Sequence, residues 1–181
     1  MSRVVFLHGV GSSGAGMRPL AEALGLHDAH CPDGPEPFDM GPGRQWFSVK
    51  GVTEANRPER VAAALSAAHR MIEALGDPRE SWLVGFSQGS IMALHLVAEG
   101  LPVAGVVAIA GRLAGPVAAR TDWPPIWQLQ GADDAVMPLA LAQATEGWLR
   151  EAGAAAELTV FPRLGHSVDT RVLGRLREVL G

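Results

Sequence analysis

Ser81-Trp82-Leu83-Val84-Gly85-Phe86-Ser87-Gln88-Gly89-Ser90-Ile91-Met92-Ala93-Leu94-His95-Leu96-Val97-Ala98-Glu99-Gly100 is the stretch whose reading decides the fold. Ser81 to Val84 is a short apolar run, long enough for a buried strand and too short for a helix. From Ser90 to Ala98 apolar residues recur at helical spacing, through Ile91, Leu94, Val97 and Ala98. Between the two lies Gly85-Phe86-Ser87-Gln88-Gly89, a Gly-x-Ser-x-Gly pattern caught in a strand-to-helix turn. That context is the one a nucleophile elbow requires. So sharp a turn leaves no room for side chains at its flanks, and glycine supplies bare positions there. Ser87 is expected at the tip in a strained conformation, facing the first amides of the next helix. The plainer reading, two glycines that only punctuate a turn, leaves the serine between them unexplained.

Working outward, the apolar run Val4-Val5-Phe6-Leu7 marks another strand buried on both faces, followed by the glycine-rich loop His8 to Gly14. Pro19 is expected to start a helix that Gly25 closes, and a short strand is expected near Ala29-His30-Cys31. Pro32 to Gly43 carries four prolines and three glycines and reads as an ordered loop. Asn56, Pro58 and Glu59 resemble a capped helix start, with Val61, Leu65, Ala68, Ile72 and Leu75 on its buried face. Strands follow at 103–110, 126–130 and 158–161, with helices at about 139–151 and 168–180. Strands alternating with helices, with no repeat and no linker, predict an α/β fold. The expectation is one domain over 1–181, with an open, mostly parallel sheet, helices on both faces and no cap domain.

In such sheets ligands sit beyond the carboxyl ends of the strands. Four strand ends carry chemistry: His8-Gly9-Val10-Gly11, Ser87, Gly131-Ala132-Asp133-Asp134 and Gly165-His166-Ser167. A serine alkoxide is inaccessible at neutral pH, so Ser87 needs a base, which His166 can supply. An aspartate must hold the imidazole in one tautomer and stabilise its cation. The order Ser, Asp, His along the chain is the one this architecture uses. Singly, His166 reads as a loop histidine and Asp134 as a turn residue. Their joint placement at successive strand ends points to a triad. The amides of Val10 and Gln88 are the natural oxyanion donors.

These residues resemble a known family. Phe6-Leu7-His8-Gly9-Val10-Gly11, the Gly85–Gly89 elbow, Gly131 to Pro138 and Gly165-His166-Ser167 are similar to motifs of the phospholipase/carboxylesterase group. That group of α/β-hydrolases includes acyl-protein thioesterase-like enzymes. Trp46-Phe47, after a Pro-rich loop, looks like the aromatic pair that the family carries before its second helix. The resemblance implies Ser87, Asp134 and His166 as triad, Val10 and Gln88 as oxyanion donors, and no cofactor. The expected activity is hydrolysis of carboxylic esters, thioesters or lysophospholipid esters through an acyl-enzyme. The chain is shorter than is usual for the group, and Val10 stands where leucine is common. Trp46, Phe47 and Met137 are expected to wall a pocket for small to medium acyl chains, unless Trp46 instead plugs the core under its loop.

Other readings compete. Gly9-Val10-Gly11-Ser12-Ser13-Gly14 fits Gly-x-Gly-x-x-Gly with Asp33 about twenty residues on, as a dinucleotide site wants. Against it, Pro19 places the helix start too late for a pyrophosphate, and Asp33 sits in a turn. A non-catalytic hydrolase-fold interaction protein is the other alternative, which an intact triad argues against. His27, Asp28, His30, Cys31 and Asp33 crowd together, but an extended segment sends them to alternate faces, so no metal site is expected. The net charge of −4 gives nucleic acid no footing, and no apolar run is long enough for a membrane span. The single Cys31 and the strand that begins at Val4 favour a cytoplasmic setting without a leader. The expected partner is a small ester substrate, with the oligomeric state open, a homodimer included.

Overall fold

A computed structural model describes residues 3–181. Strand β1 (Arg3–Leu7) is apolar from Val4 onward because helices cover it above and below. The chain continues through α1 (Gly14–Ala23), the two-residue strands β2 (Glu36–Pro37) and β3 (Arg44–Gln45), and α2 (Arg57–Ala74). Next come β4 (Ser81–Phe86), α3 (Gln88–Ala98) and β5 (Gly105–Ile109). The last elements are β6 (Ile126–Gly131), α4 (Leu139–Glu151), β7 (Ala156–Phe161) and α5 (Thr170–Leu180). Five strands pair in the order β1-β4-β5-β6-β7, and every pairing is parallel. β2 and β3 form a separate antiparallel ribbon in the Pro-rich loop.

The sheet alternation sorts the core into two layers. Val5, Leu7, Leu83, Val106 and Ile126 pack with α2, α3 and α4 residues such as Ile72, Met92 and Leu149. Val4, Phe6, Val84, Val107 and Leu129 face the other way, against Met17 and Ala21 of α1 and Val172 and Leu176 of α5. α3 is apolar nearly all round because it is buried nearly all round.

Three local expectations are corrected. α1 begins at Gly14, five residues before Pro19, because Ser13 caps it and the Asp33 carboxylate accepts the Gly14 amide at 2.7 Å. Pro19 therefore lies inside the helix, on an exposed position. The strand expected near His30 reduces to one parallel bridge with Val5, its backbone groups bonding Val4 and Phe6. Asn56 precedes α2 without a side-chain cap, its amide bonding Gly51 and Thr53 instead.

Candidate active site

The elbow is built by exclusion. A Cβ on Gly85 would meet the Ser90 nitrogen at 2.4 Å, and one on Gly89 would meet the Leu7 carbonyl oxygen at 2.0 Å. Only glycine lets α3 leave the sheet this close to β1. Ser87 between them takes φ 53° and ψ −115°, a left-sided conformation that a non-glycine residue adopts at a cost of order 1–3 kcal/mol. The Ser87 amide donates to the Ile109 carbonyl at 2.9 Å, and the Ser87 carbonyl accepts the Ser90 amide at 3.0 Å. Sheet and helix thus hold the strained residue from both sides.

Ser87 is 7% exposed, and its Oγ lies 2.9 Å from Nε2 of His166. On the far side of the imidazole, Nδ1 lies 2.8 Å from Oδ2 of Asp134. Asp134 is 4% exposed, whereas Asp133 is open to solvent and its backbone amide bonds the Leu164 carbonyl at 2.9 Å. That bond, and the close approach of Gly131 to Leu164, fasten the aspartate loop to the histidine loop. Oδ1 of Asp134 accepts the amides of Val136 at 2.9 Å and Met137 at 2.7 Å. The carboxylate cannot turn without breaking both. With an acceptor at Oδ2, Nδ1 carries the imidazole proton and Nε2 presents a lone pair to the serine hydroxyl.

Gln130 is a further member that the sequence reading passed over. Its side chain is buried, and Nε2 donates to Asp134 Oδ2 at 3.2 Å and to the Met137 carbonyl at 2.7 Å. The available signal was a polar residue in an apolar central strand, just before Gly131.

The segments that carry Val10 and Gln88 are pinned in a similar way. Among the described residues neither the Val10 amide nor the Gln88 amide donates a hydrogen bond to the protein, so both are available. The Gln88 side chain is spoken for: Oε1 accepts the Trp46 amide at 2.8 Å and Nε2 donates to the Phe47 carbonyl at 2.7 Å. Trp46 Nε1 in turn donates to the His8 carbonyl at 2.9 Å. His8 accepts the Gly34 amide on Nε2 at 2.8 Å, so its proton sits on Nδ1, 2.7 Å from the Gly9 carbonyl. Burial holds His8 below the usual histidine range, the Gly9 bond opposing it. His8 is a neutral brace for the Val10 loop.

Trp46, Phe47 and Met137 do not wall the cavity beside Ser87. Trp46 is 1% exposed, and all three belong to the core cluster on the α2–α3–α4 face. The bonds to Gln88 and His8 draw the aromatic pair inward, beneath the loop. Ser87 and His166 open instead on a cleft of about 600 Å³ between α1 and α5, whose walls include Met17, Leu20, Phe86 and Leu173. The Phe86 ring centroid stands 5.0 Å from that of His166.

Other candidates find different uses. Asp33 and Ser13 occupy the α1 amides that a pyrophosphate would need, which tells against a dinucleotide in the Gly9–Gly14 loop. Among the described residues no three His, Cys, Asp or Glu side chains gather as a metal-holding group. No described helix is long and apolar enough to cross a membrane.

Comparison with known proteins bears on the fold and the family. The chain is 35% identical over 144 residues to "Esterase YpfH" of Escherichia coli, a match covering 76% of this chain and 62% of that protein. It is 27% identical over 194 residues to "Carboxylesterase SOBER1" of Arabidopsis thaliana, covering 94% and 85% of the two chains. Among solved structures, the crystal structure of esterase PE8 superposes with a TM-score of 0.87 at 24% identity. That match covers 99% of this chain and 91% of the other, and identifies the α/β-hydrolase fold. The phospholipase/carboxylesterase family model matches residues 2–181, and the chain belongs to that family.

Proposed function

We propose that the chain is a serine hydrolase that cleaves carboxylic esters, thioesters included, through an acyl-enzyme formed on Ser87. The observation that carries the reading is the unbroken relay Ser87 Oγ–His166 Nε2 at 2.9 Å and His166 Nδ1–Asp134 Oδ2 at 2.8 Å. His166 takes the serine proton as Oγ attacks the carbonyl carbon, and Asp134 stabilises the resulting imidazolium. The carbonyl oxygen becomes an oxyanion held by the Val10 and Gln88 amides, the latter at the positive end of α3. Collapse breaks the ester bond, and the imidazolium gives its proton to the leaving alcohol or thiol. Water, deprotonated by His166, then attacks the acyl carbon and releases the carboxylic acid with Ser87 restored.

The names of the relatives support the same reaction class. A single α/β-hydrolase domain working on a small-molecule ester in the cytoplasm is the setting this reading adopts, and the partly buried Cys31 would remain a free thiol there.

The test is covalent labelling with a fluorophosphonate, located by mass spectrometry, beside turnover of p-nitrophenyl acetate. The adduct is expected on Ser87 and absent in Ser87→Ala. Turnover without a Ser87 adduct, or no turnover at all, ends this reading.

A further inference from the structure

Strand β7 ends the five-stranded sheet, so one side of its backbone has no neighbouring strand among the described residues. The Ala155 carbonyl accepts the Ile126 amide at 3.3 Å and the Phe161 carbonyl accepts the Ala132 amide at 2.9 Å, so the odd-numbered positions face β6. By the alternation of a parallel ladder, Ala156, Leu158 and Val160 turn their backbone groups to the open edge. A row of open amides and carbonyls is a template for a further strand. Here the first half of the row is covered from α4. The Glu146 carboxylate accepts the Leu158 amide at 3.1 Å, and Arg150 Nε donates to the Ala156 carbonyl at 3.2 Å. The two side chains also pair with each other at 2.8 Å. Their spacing matches the edge: four residues of helix rise about 6 Å, and two residues of strand about 6.6 Å. Glu146 meets the later strand residue and Arg150 the earlier, as antiparallel neighbours do. Carboxylate and guanidinium thus stand where the carbonyl and amide of a further strand would stand. The second half of the edge is uncovered. Val160 is 39% exposed, and neither of its backbone groups has a partner among the described residues.

From this edge we infer that β7 is a pairing surface for a second copy of this chain, and that Glu146 and Arg150 hold it closed. The inference stands apart from the ester-hydrolase reading, because no group of the triad takes part. The pairing that the two side chains oppose is antiparallel, about a twofold axis at Leu158. The Leu158 amide would then bond the Leu158 carbonyl of the other copy, and the Ala156 carbonyl would bond its Val160 amide. Those are the two groups that α4 occupies. The strand itself does not oppose the register. It sets Ala156 against Val160 and Glu157 against Thr159, so no like charges meet. The occupant is a second copy because the edge is self-complementary, supplying every donor and acceptor that its own register needs. The guard consists of side chains alone, and that of Arg150 is 61% exposed, so it can be removed without opening the core.

Sedimentation velocity of the whole chain over about a hundredfold range of concentration tests this, because pairing follows protomer concentration. Glu146→Ala/Arg150→Ala is expected to gain mass with concentration, toward about twice the wild-type value, where the wild type does not. Adding Val160→Lys, which puts a charge on the open edge, is expected to restore the wild-type profile. Glu146→Gln keeps an oxygen that accepts the Leu158 amide and should sediment as the wild type does. Hydrogen exchange at the Leu158 amide supplies a second measure. In Glu146→Ala it should speed at least about tenfold in dilute protein and slow again as the protein is concentrated. If the double variant fails to fold, Arg150→Ala alone takes its place in the comparison. Folded guard variants that sediment as the wild type at every concentration overturn the inference. So does self-association that persists with Val160→Lys, because it then runs through another surface. Wild-type assembly that Val160→Lys dissolves shows an edge already open, and overturns the guard as well.

Discussion

Asp134→Asn is the substitution on which the relay can be judged most sharply. Asp134 has four acceptor contacts: Val136 and Met137 amides on Oδ1, His166 Nδ1 and Gln130 Nε2 on Oδ2. An asparagine has one oxygen to offer. If it keeps that oxygen on the two amides, its NH₂ group faces His166 and Gln130. Nδ1 must then accept, the proton moves to Nε2, and the imidazole donates to Ser87 instead of receiving from it. A base in the wrong tautomer is expected to lower kcat about 10⁴-fold, equivalent to about 5 kcal/mol of lost transition-state stabilisation. KM for p-nitrophenyl acetate should move little, because no substrate contact is lost. Gln130 meets a second NH₂ at 3.2 Å or flips and abandons the Met137 carbonyl, so stability should fall by about 1–3 kcal/mol. The assay is steady-state hydrolysis beside thermal melts, with Asp133→Asn as control. Asp133 is exposed, so its variant should lose far less. Asp134→Asn activity within tenfold of wild type, or a larger loss in Asp133→Asn, would refute the relay as drawn.

The other predictions follow from the same contacts. Ser87→Ala should lose about 10⁴-fold or more in kcat while melting close to wild type; a tenth of wild-type turnover would be incompatible with a serine nucleophile. Gln130→Met removes one hydrogen bond to Asp134 and should lower kcat about tenfold at unchanged KM, and a change confined to the melting temperature would make Gln130 a packing residue. Trp46→Ala should cost about 3–5 kcal/mol of stability and affect all chain lengths alike, as a core residue does; a loss that grows with chain length would put Trp46 back in the pocket. His95 is held down to about 4, first by burial and then by Arg112, and its Nε2 accepts the Ala114 amide. Its folded value lies below its ordinary 6.5, so the neutral form's stabilisation is complete above about pH 6.5 and is lost as pH falls toward 4. The ceiling is about 3 kcal/mol, and His95→Gln should flatten the acid limb of urea stability; equal acid losses in both proteins would exclude the role.

The sequence by itself determined the parts that are local. Strands β1, β4 and β5 were legible because burial on both faces leaves an unbroken apolar run, and α3 because its repeat begins at once after a turn that only glycine permits. The meeting of Ser87, Asp134 and His166 was legible for a related reason. A parallel sheet delivers every strand end to the same edge, so residues far apart in sequence needed only the correct strand ends to meet. The tertiary structure alone decided what depended on contacts between remote segments. α1 starts at Gly14 because a carboxylate nineteen positions later caps it, and no periodicity in the helix announces that bond. Trp46 turns inward because Gln88 and His8 supply its partners from two other strand ends. The cleft wall joins Met17 and Leu20 to Val168 and Leu173, which lie about 150 positions apart. Periodicity tells which face of a helix is apolar. Which apolar face is left uncovered beside Ser87 depends on how the elements pack.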